Sequence, residues 1–225
     1  MLTLHHLEYS QSFRILWLLE ALDAEYELIT YERSPKTMLA PKSYKKLSPL
    51  RSAPVITDGD LVLAESSAIM DYILDKHPRS RLRPKVGGKY RERYLFWFHA
   101  AQGTMMPILL LDTLFLMMRK RSPLPLKPLL FGMAQLVKFA YSKPRLDGLL
   151  ELAERDLASS KWFAGPELTA ADILLSYNMV AARKRGLINQ AHPNCLRWLD
   201  QMDEEPSFQR ALAKDGRESI TLSMD

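Results

Sequence analysis

Two short polar clusters carry the residue types and spacing that chemistry needs. The first is Tyr9-Ser10-Gln11-Ser12, with Arg14 close behind, just ahead of Ile15, Leu16, Leu18, Leu19 and Leu22 at helical spacing. A hydroxyl at a helix N-terminus donates to a thiolate and lowers the thiol's pKa. The thiolate is then the nucleophile, and the protein need only stabilise it. Ser12 reads equally well as a helix cap. The second cluster is Glu65-Ser66-Ser67, where a helix opens. Backbone N–H groups and two hydroxyls suit the carboxylate of a small zwitterion, and Glu65 suits its ammonium. On spacing alone, an ordinary N-cap is the simpler reading.

The elements that position these clusters follow from the pattern. Leu2–Leu7 suits a strand, residues 26–31 a second, and residues 54–57 and 60–63 a hairpin around Asp58-Gly59. Helices are expected over residues 13–22, irregularly over 36–47, and over 65–77. The order strand-helix-strand-helix-strand-strand-helix predicts a mixed four-stranded sheet. Pro78 ends the last helix, and residues 79–88 read as a polar linker. Beyond it strand signals stop. Helices are expected over 90–118 with a kink at Pro107, then 129–141, 145–159, 170–185, 193–204 and 207–213. The fold class is therefore an α/β domain (residues 1–78) followed by an all-helical one (89–225).

Composition narrows the function classes. The single cysteine, Cys195, forbids an internal disulfide and points to a reducing compartment, hence a cytoplasmic location. Cys195 reads as packed and without a catalytic role. The N-terminus lacks the pattern of a secretory signal. The longest apolar run, Met105–Met118, falls short of a membrane span and holds Pro107 and Asp112. The net charge of +5 is unevenly placed: residues 79–145 hold 14 Lys and Arg against 2 acids. A solvated basic face on long helices is the preferred reading. Contact with an anionic membrane surface ranks below it, and nothing in the spacing supports nucleic acid. His5 and His6 sit on opposite faces of a strand, so no metal is assigned to them.

Pro54, Asp58-Gly59 and Glu65-Ser66 followed by Ala68-Ile69 resemble the glutathione-binding half of the cytosolic glutathione S-transferases. Gly165-Pro-Glu-Leu-Thr169-Ala-Ala-Asp172 resembles that family's capping box before its buried sixth helix, and the resemblance covers essentially the whole chain. The opening Leu-Thr-Leu-His-His-Leu resembles the bacterial and fungal, serine-using branch. The resemblance implies a thioredoxin-like N-terminal domain and an enzyme that joins the glutathione thiolate to small hydrophobic electrophiles, with glutathione as co-substrate, no further cofactor, and a homodimer. Alternatives on the same fold are a glutathione-dependent peroxidase and a non-catalytic glutathione-binding or scaffold protein.

The same resemblance assigns residues. Ser10, four before Arg14, becomes the sulfur's donor, with Tyr9 and Ser12 as rivals. Pro54 becomes a cis proline, with Val55 pairing by backbone to the cysteinyl part of the tripeptide. Glu65 and Ser66 take the γ-glutamyl end. Arg51-Ser52 departs from the family's usual residues before the proline; Arg51 there suits the glycyl carboxylate. Tyr94, Phe98, Met105, Met106 and Leu109 become the lining of the electrophile pocket, although helix-core packing explains each one separately.

Overall fold

The computed structural model describes residues 1–217 and 219–221; the last residues of the expected helical domain, 222–225, lie outside the described residues. β1 (Leu2–Leu7), β2 (Glu27–Tyr31), β3 (Val55–Asp58) and β4 (Leu61–Ala64) form one sheet in the order β2-β1-β3-β4. β1 pairs parallel to β2 and antiparallel to β3, and β3 pairs antiparallel to β4. β1 is central and covered on both faces, which is why its residues from Thr3 to Leu7 are all buried. Gly59 opens the β3–β4 turn at φ +59, the sign a two-residue hairpin needs at its first central position. This is the mixed sheet of a thioredoxin-like domain.

α1 (Phe13–Ala21), α2 (Lys42–Lys45) and α3 (Ser66–Lys76) complete the N-terminal part. No helix or strand falls between His77 and Tyr90. The helical part comprises α4 (Arg91–Ala100), α5 (Met106–Arg121), α6 (Lys127–Val137), α7 (Lys143–Ala158), α8 (Ala170–Lys184), α9 (Pro193–Asp203) and α10 (Pro206–Asp215).

Two details differ from the pattern-based expectation, for one reason. α4 and α5 are continuous through a π turn at Ala101–Met105, and α6 and α7 are continuous through another at Lys138–Ser142. Each π turn directly precedes a proline near the next helix start, Pro107 or Pro144. Proline lacks an N–H and its ring crowds the carbonyl four residues back, so a wider turn relieves the clash. The break expected between residues 141 and 145 is therefore a widened turn inside a longer helix.

The core spans both parts. α8 supplies twelve buried residues and runs through the centre. Its N-terminus carries the expected capping box. The Thr169 N–H and hydroxyl donate to Asp172 Oδ2 at 3.0 and 2.8 Å. The Phe163 N–H and the Trp198 indole N–H donate to Oδ1 at 2.8 and 3.0 Å. Burial pushes the Asp172 carboxyl above its ordinary range, and the four donors oppose that push. α10 then folds back onto α1: Phe208 meets Phe13 and Trp17 edge-on at 5.4 and 5.0 Å, and the Trp17 indole donates to Ser207 Oγ at 2.9 Å. The C-terminal helix thus seals the back of the first polar cluster.

Candidate functional site

The strand register brings the predicted residues to one edge of the sheet. His5 lies opposite Val55, and Val55 opposite Ala64. The chain leaving β1 at Leu7, the Ala53-Pro54 entry to β3, and the β4 exit at Glu65 are therefore neighbours. Tyr9, Ser10 and Ser12 sit on the first segment and Ser66 just past the third. The Ala53–Pro54 peptide is cis, as the family resemblance implies.

The β4–α3 junction presents donors. Glu65 is exposed and holds φ +75, a left-handed conformation uncommon for a residue with a side chain. Its carbonyl accepts the Ile69 N–H at 2.9 Å, so the first-turn N–H groups of Ser66, Ser67 and Ala68 have no acceptor within the helix. The Ser66 hydroxyl is buried and has no hydrogen-bond partner. A buried polar atom left unpaired is costly, and such atoms are few in folded proteins. Arg51 (φ +54) and Ser52 lie exposed in the loop before Pro54.

The β1–α1 loop is a buried hydroxyl relay. Ser10, 5% exposed, donates to the Leu7 carbonyl at 2.7 Å and lies 2.8 Å from Ser12 Oγ. The Ser12 N–H donates to Ser10 Oγ at 3.1 Å. Ser12 does not cap α1 with its side chain. Its αR backbone turns Oγ back toward β1, where it accepts the Leu7 N–H at 3.0 Å and sits 3.1 Å from the Leu7 carbonyl and 2.9 Å from His6 Nδ1. The His6 Nε2–H donates to Asp215 Oδ1 at 2.6 Å, at the end of α10, with both side chains buried. Arg217 donates to Asp215 and pairs with Glu8 at 2.9 and 3.0 Å, and its guanidinium lies 5.6 Å from the Tyr9 ring centroid. Tyr9 is half-buried, at φ +49.

A relay that joins the ends of the chain makes a specific prediction. Asp215→Asn should cost about 1.5–3 kcal/mol, the range of a hydrogen bond to a charged group. It should also speed hydrogen exchange at the Leu7 and Ser12 amides, read by mass spectrometry. Unchanged exchange in that loop would show that the relay does not hold it.

Arg14 anchors the loop from the other side. It is buried, donates to Gln11 Oε1 at 3.1 Å and Asn178 Oδ1 at 2.6 Å, and lies 5.2 Å from the Tyr177 ring centroid. Burial pulls its pKa down to about 9, so it stays charged at neutral pH. Gln102, in the first π turn, donates to the same Gln11 oxygen at 2.9 Å. The π turn therefore stands beside the hydroxyl loop.

The expected apolar lining is placed differently. Tyr94, Phe98, Met105 and Leu109 are buried members of the core, and only Met106 is partly exposed. Tyr94 and Phe98 stack at 5.4 Å and edge a concavity of about 340 Å³ shared with Asp71, Asp75 and Arg83, a polar setting. The π turn adds a residue and rotates the downstream face by about 100°, so Met106 and Leu109 do not keep the straight-helix phase set by Tyr94 and Phe98. Another concavity, of about 730 Å³, lies between the linker and the loop before α8, lined by Arg79, Pro84, Tyr90 and Gly165; it contains none of the predicted residues.

His5 bonds to Tyr31 and Thr57 on neighbouring strands and shares no partner with His6. Cys195 is buried, and burial pushes its thiol up. The residues that sequence patterns missed are His6, Gln11, Gln102, Asp215 and Arg217. Only Gln11 carries a local signal, its place between the two serines.

Comparisons with known proteins agree with one another. The family model for "Glutathione S-transferase, N-terminal domain" matches residues 1–75, and that for "Glutathione S-transferase, C-terminal domain" matches residues 109–206. The chain is 29% identical to glutathione S-transferase 3 of Schizosaccharomyces pombe, over all of this chain and 92% of that one. It is 25% identical to glutathione S-transferase 1 of Saccharomyces cerevisiae, over 91% of both chains. The crystal structure of a glutathione S-transferase from Actinobacillus pleuropneumoniae superposes with a TM-score of 0.74 at 32% identity, covering 96% of this chain and 93% of that one.

Proposed function

The chain belongs to the glutathione S-transferase family, and we propose that the β1–α1 loop, the Pro54-Val55 strand entry and the Glu65-Ser66 helix start together hold glutathione with its sulfur ionised by Ser10. As a glutathione transferase, the protein uses glutathione as its substrate. The single observation that carries the site assignment is the buried, unpaired Ser66 hydroxyl at the head of α3. A γ-glutamyl carboxylate there would take that hydroxyl and the free first-turn N–H groups, and the helix dipole favours the same charge. Glu65 takes the ammonium. Val55 pairs by its backbone with the cysteinyl residue, and Arg51, with Ser52 beside it, takes the glycyl carboxylate.

Proton counting favours Ser10 over its rivals as donor to the sulfur. Ser12 is completely buried and surrounded by its own partners. The Leu7 carbonyl has two hydroxyls in reach, at 2.7 and 3.1 Å. Ser12 can keep that carbonyl satisfied while Ser10 turns its proton to the thiolate. Ser12 and His6 are thus positioning residues, and Tyr9 shields the loop under Arg217.

The thiolate attacks an electrophilic carbon, the carbon–sulfur bond forms, and the electron pair leaves with the displaced group or protonates after addition. The acceptor is a small hydrophobic electrophile seated between the hydroxyl loop and the first π turn, near Gln102 and Met106, with Tyr94, Phe98, Met105 and Leu109 forming the wall behind. Residues 1–78 make the glutathione domain, 79–88 the linker and the remainder the helical domain; the protein acts as a cytoplasmic homodimer in detoxification.

Ser66→Ala tests this reading. The hydroxyl has no partner in the free protein, so stability should not fall. Loss of a hydrogen bond to a carboxylate should raise the Kd and KM for glutathione about 10- to 100-fold. Calorimetry showing unchanged affinity would remove the assignment.

A further inference from the structure

Ser10, Ser12, His6 and Asp215 form one line of buried polar atoms. Ser10 Oγ lies 2.8 Å from Ser12 Oγ, Ser12 Oγ 2.9 Å from His6 Nδ1, and His6 Nε2 2.6 Å from Asp215 Oδ1. Each contact is short enough to need a proton in it, so the protons can be counted. The Asp215 carboxylate also accepts from Arg217 at 2.9 Å and can only accept, so the proton on that side sits on Nε2. A neutral ring then has a bare Nδ1, which takes the Ser12 hydroxyl proton. The proton between the two serines must come from Ser10, which shares it with the Leu7 carbonyl at 2.7 Å. In the free protein the chain of donors therefore runs from Ser10 to Ser12 to His6 to Asp215.

A thiolate reverses the first two links. Once Ser10 gives its proton to the sulfur, only the Ser12 proton can fill the contact between the serines. Nδ1 then faces Ser12 Oγ with no proton between them, a buried acceptor without a donor. A proton on Nδ1 removes the conflict, because Nδ1–H donates to Ser12, Ser12 to Ser10, and Ser10 to the sulfur.

We propose that His6 takes up the proton that the glutathione thiol gives up, so that thiolate and imidazolium form together. The proposal rests on the assignment of Ser10 to the sulfur. The S–H bond breaks, its electron pair stays on sulfur, and its proton passes to Ser10 Oγ. The Ser10 proton passes to Ser12 Oγ and the Ser12 proton to Nδ1. No proton enters or leaves the site. His6 acts through the two hydroxyls and is a positioning residue that holds a proton.

The surrounding charges fit this role. Asp215 faces the ring from the end of α10, and Arg217 pairs with both Asp215 and Glu8. Arg33 turns its guanidinium to the Glu8 and Met38 carbonyls, and Arg14 of α1 turns to Gln11 and Asn178. His5 bonds to Tyr31 and Thr57 instead. Beside the ring, two carboxylates thus stand against the one guanidinium that pairs with them. A buried group takes a charge only against an opposite one. The thiolate adds a further negative charge two hydroxyls away, which couples the imidazolium to the bound ligand.

Three readouts on the wild-type protein at pH about 7, where a free thiol is largely protonated, test the proposal. Absorbance reports whether the bound sulfur is a thiolate. Calorimetry in buffers of different ionisation heat counts the protons released. Nitrogen NMR of the histidine rings separates imidazolium from neutral imidazole. Glutathione should bind as a thiolate with almost no proton released, and both His6 nitrogens should move to the imidazolium position. S-methylglutathione, which has no thiol proton to give, should leave His6 neutral, as should glutathione bound to Ser10→Ala. A thiolate formed with about one proton released and a neutral His6 would overturn the proposal and leave the role of Ser10 intact. An imidazolium already present in the free protein, or formed equally with S-methylglutathione, would also overturn it. Glutathione bound without thiolate absorbance would remove the Ser10 assignment and this proposal with it.

Discussion

Ser10→Ala is expected to lower kcat/KM for conjugation about 10- to 100-fold near neutral pH. The hydroxyl donates to a charged sulfur, a bond of about 1.5–3 kcal/mol, and each unit of thiol pKa corresponds to about 1.4 kcal/mol. Removing the donor should raise the bound thiol's pKa by about one to two units. The sign of the pH dependence follows. Below the native thiol pKa both enzymes lose thiolate, but the variant loses it first as pH falls. Above the variant's raised pKa both are fully ionised, so the deficit narrows as pH rises toward about 10. A pH–rate profile checks this. A deficit constant with pH would mean that Ser10 does something other than ionise the sulfur. Ser10 accepts the Ser12 N–H at 3.1 Å, so Ser10→Cys serves as a control that keeps most of the side-chain volume.

The second large effect is structural. Asp172→Ala should destabilise the fold by about 3–5 kcal/mol, a large fraction of the 5–15 kcal/mol that domains possess. The Asp172 carboxylate accepts from the backbone N–H groups of Phe163 and Thr169, the Thr169 hydroxyl and the Trp198 indole. Alanine leaves all four donors facing a buried space. It also removes the capping box of α8, the helix that carries Asn178 to Arg14. For a chain of this size the melting temperature should fall by roughly 6–20 °C in calorimetry. A shift of only a degree or two would show that the four bonds are replaced by water at little cost.

Much of this architecture is legible in the residues. The sheet follows from β-rich runs and from Gly59, since only a turn with positive φ at its first central position closes that hairpin tightly. The capping box is legible because its two partners are three residues apart. The contacts that pattern cannot reach are those between distant segments. His6 and Asp215 are 209 residues apart, so nothing local marks either as part of the hydroxyl loop, and His6 reads as one of two unremarkable strand histidines. Periodicity also fails at Pro107. The π turn ahead of it rephases the helix, so Met106 and Leu109 no longer keep the straight-helix phase of Tyr94 and Phe98. The α5–α6 hairpin shows a third limit. The apolar spacing of α6 is that of a core helix, and only the fold reveals that none of its residues is buried among the described residues.

The most direct measurement is a thiolate absorbance titration of glutathione bound to the wild-type protein at saturation. A free thiol of this kind titrates near 8.5. If the hydroxyl loop and the head of α3 hold the tripeptide as described, its sulfur should titrate at least one unit lower when bound, and Ser10→Ala should return it close to the free value. A bound thiol that titrates with the free one in both proteins would contradict the account.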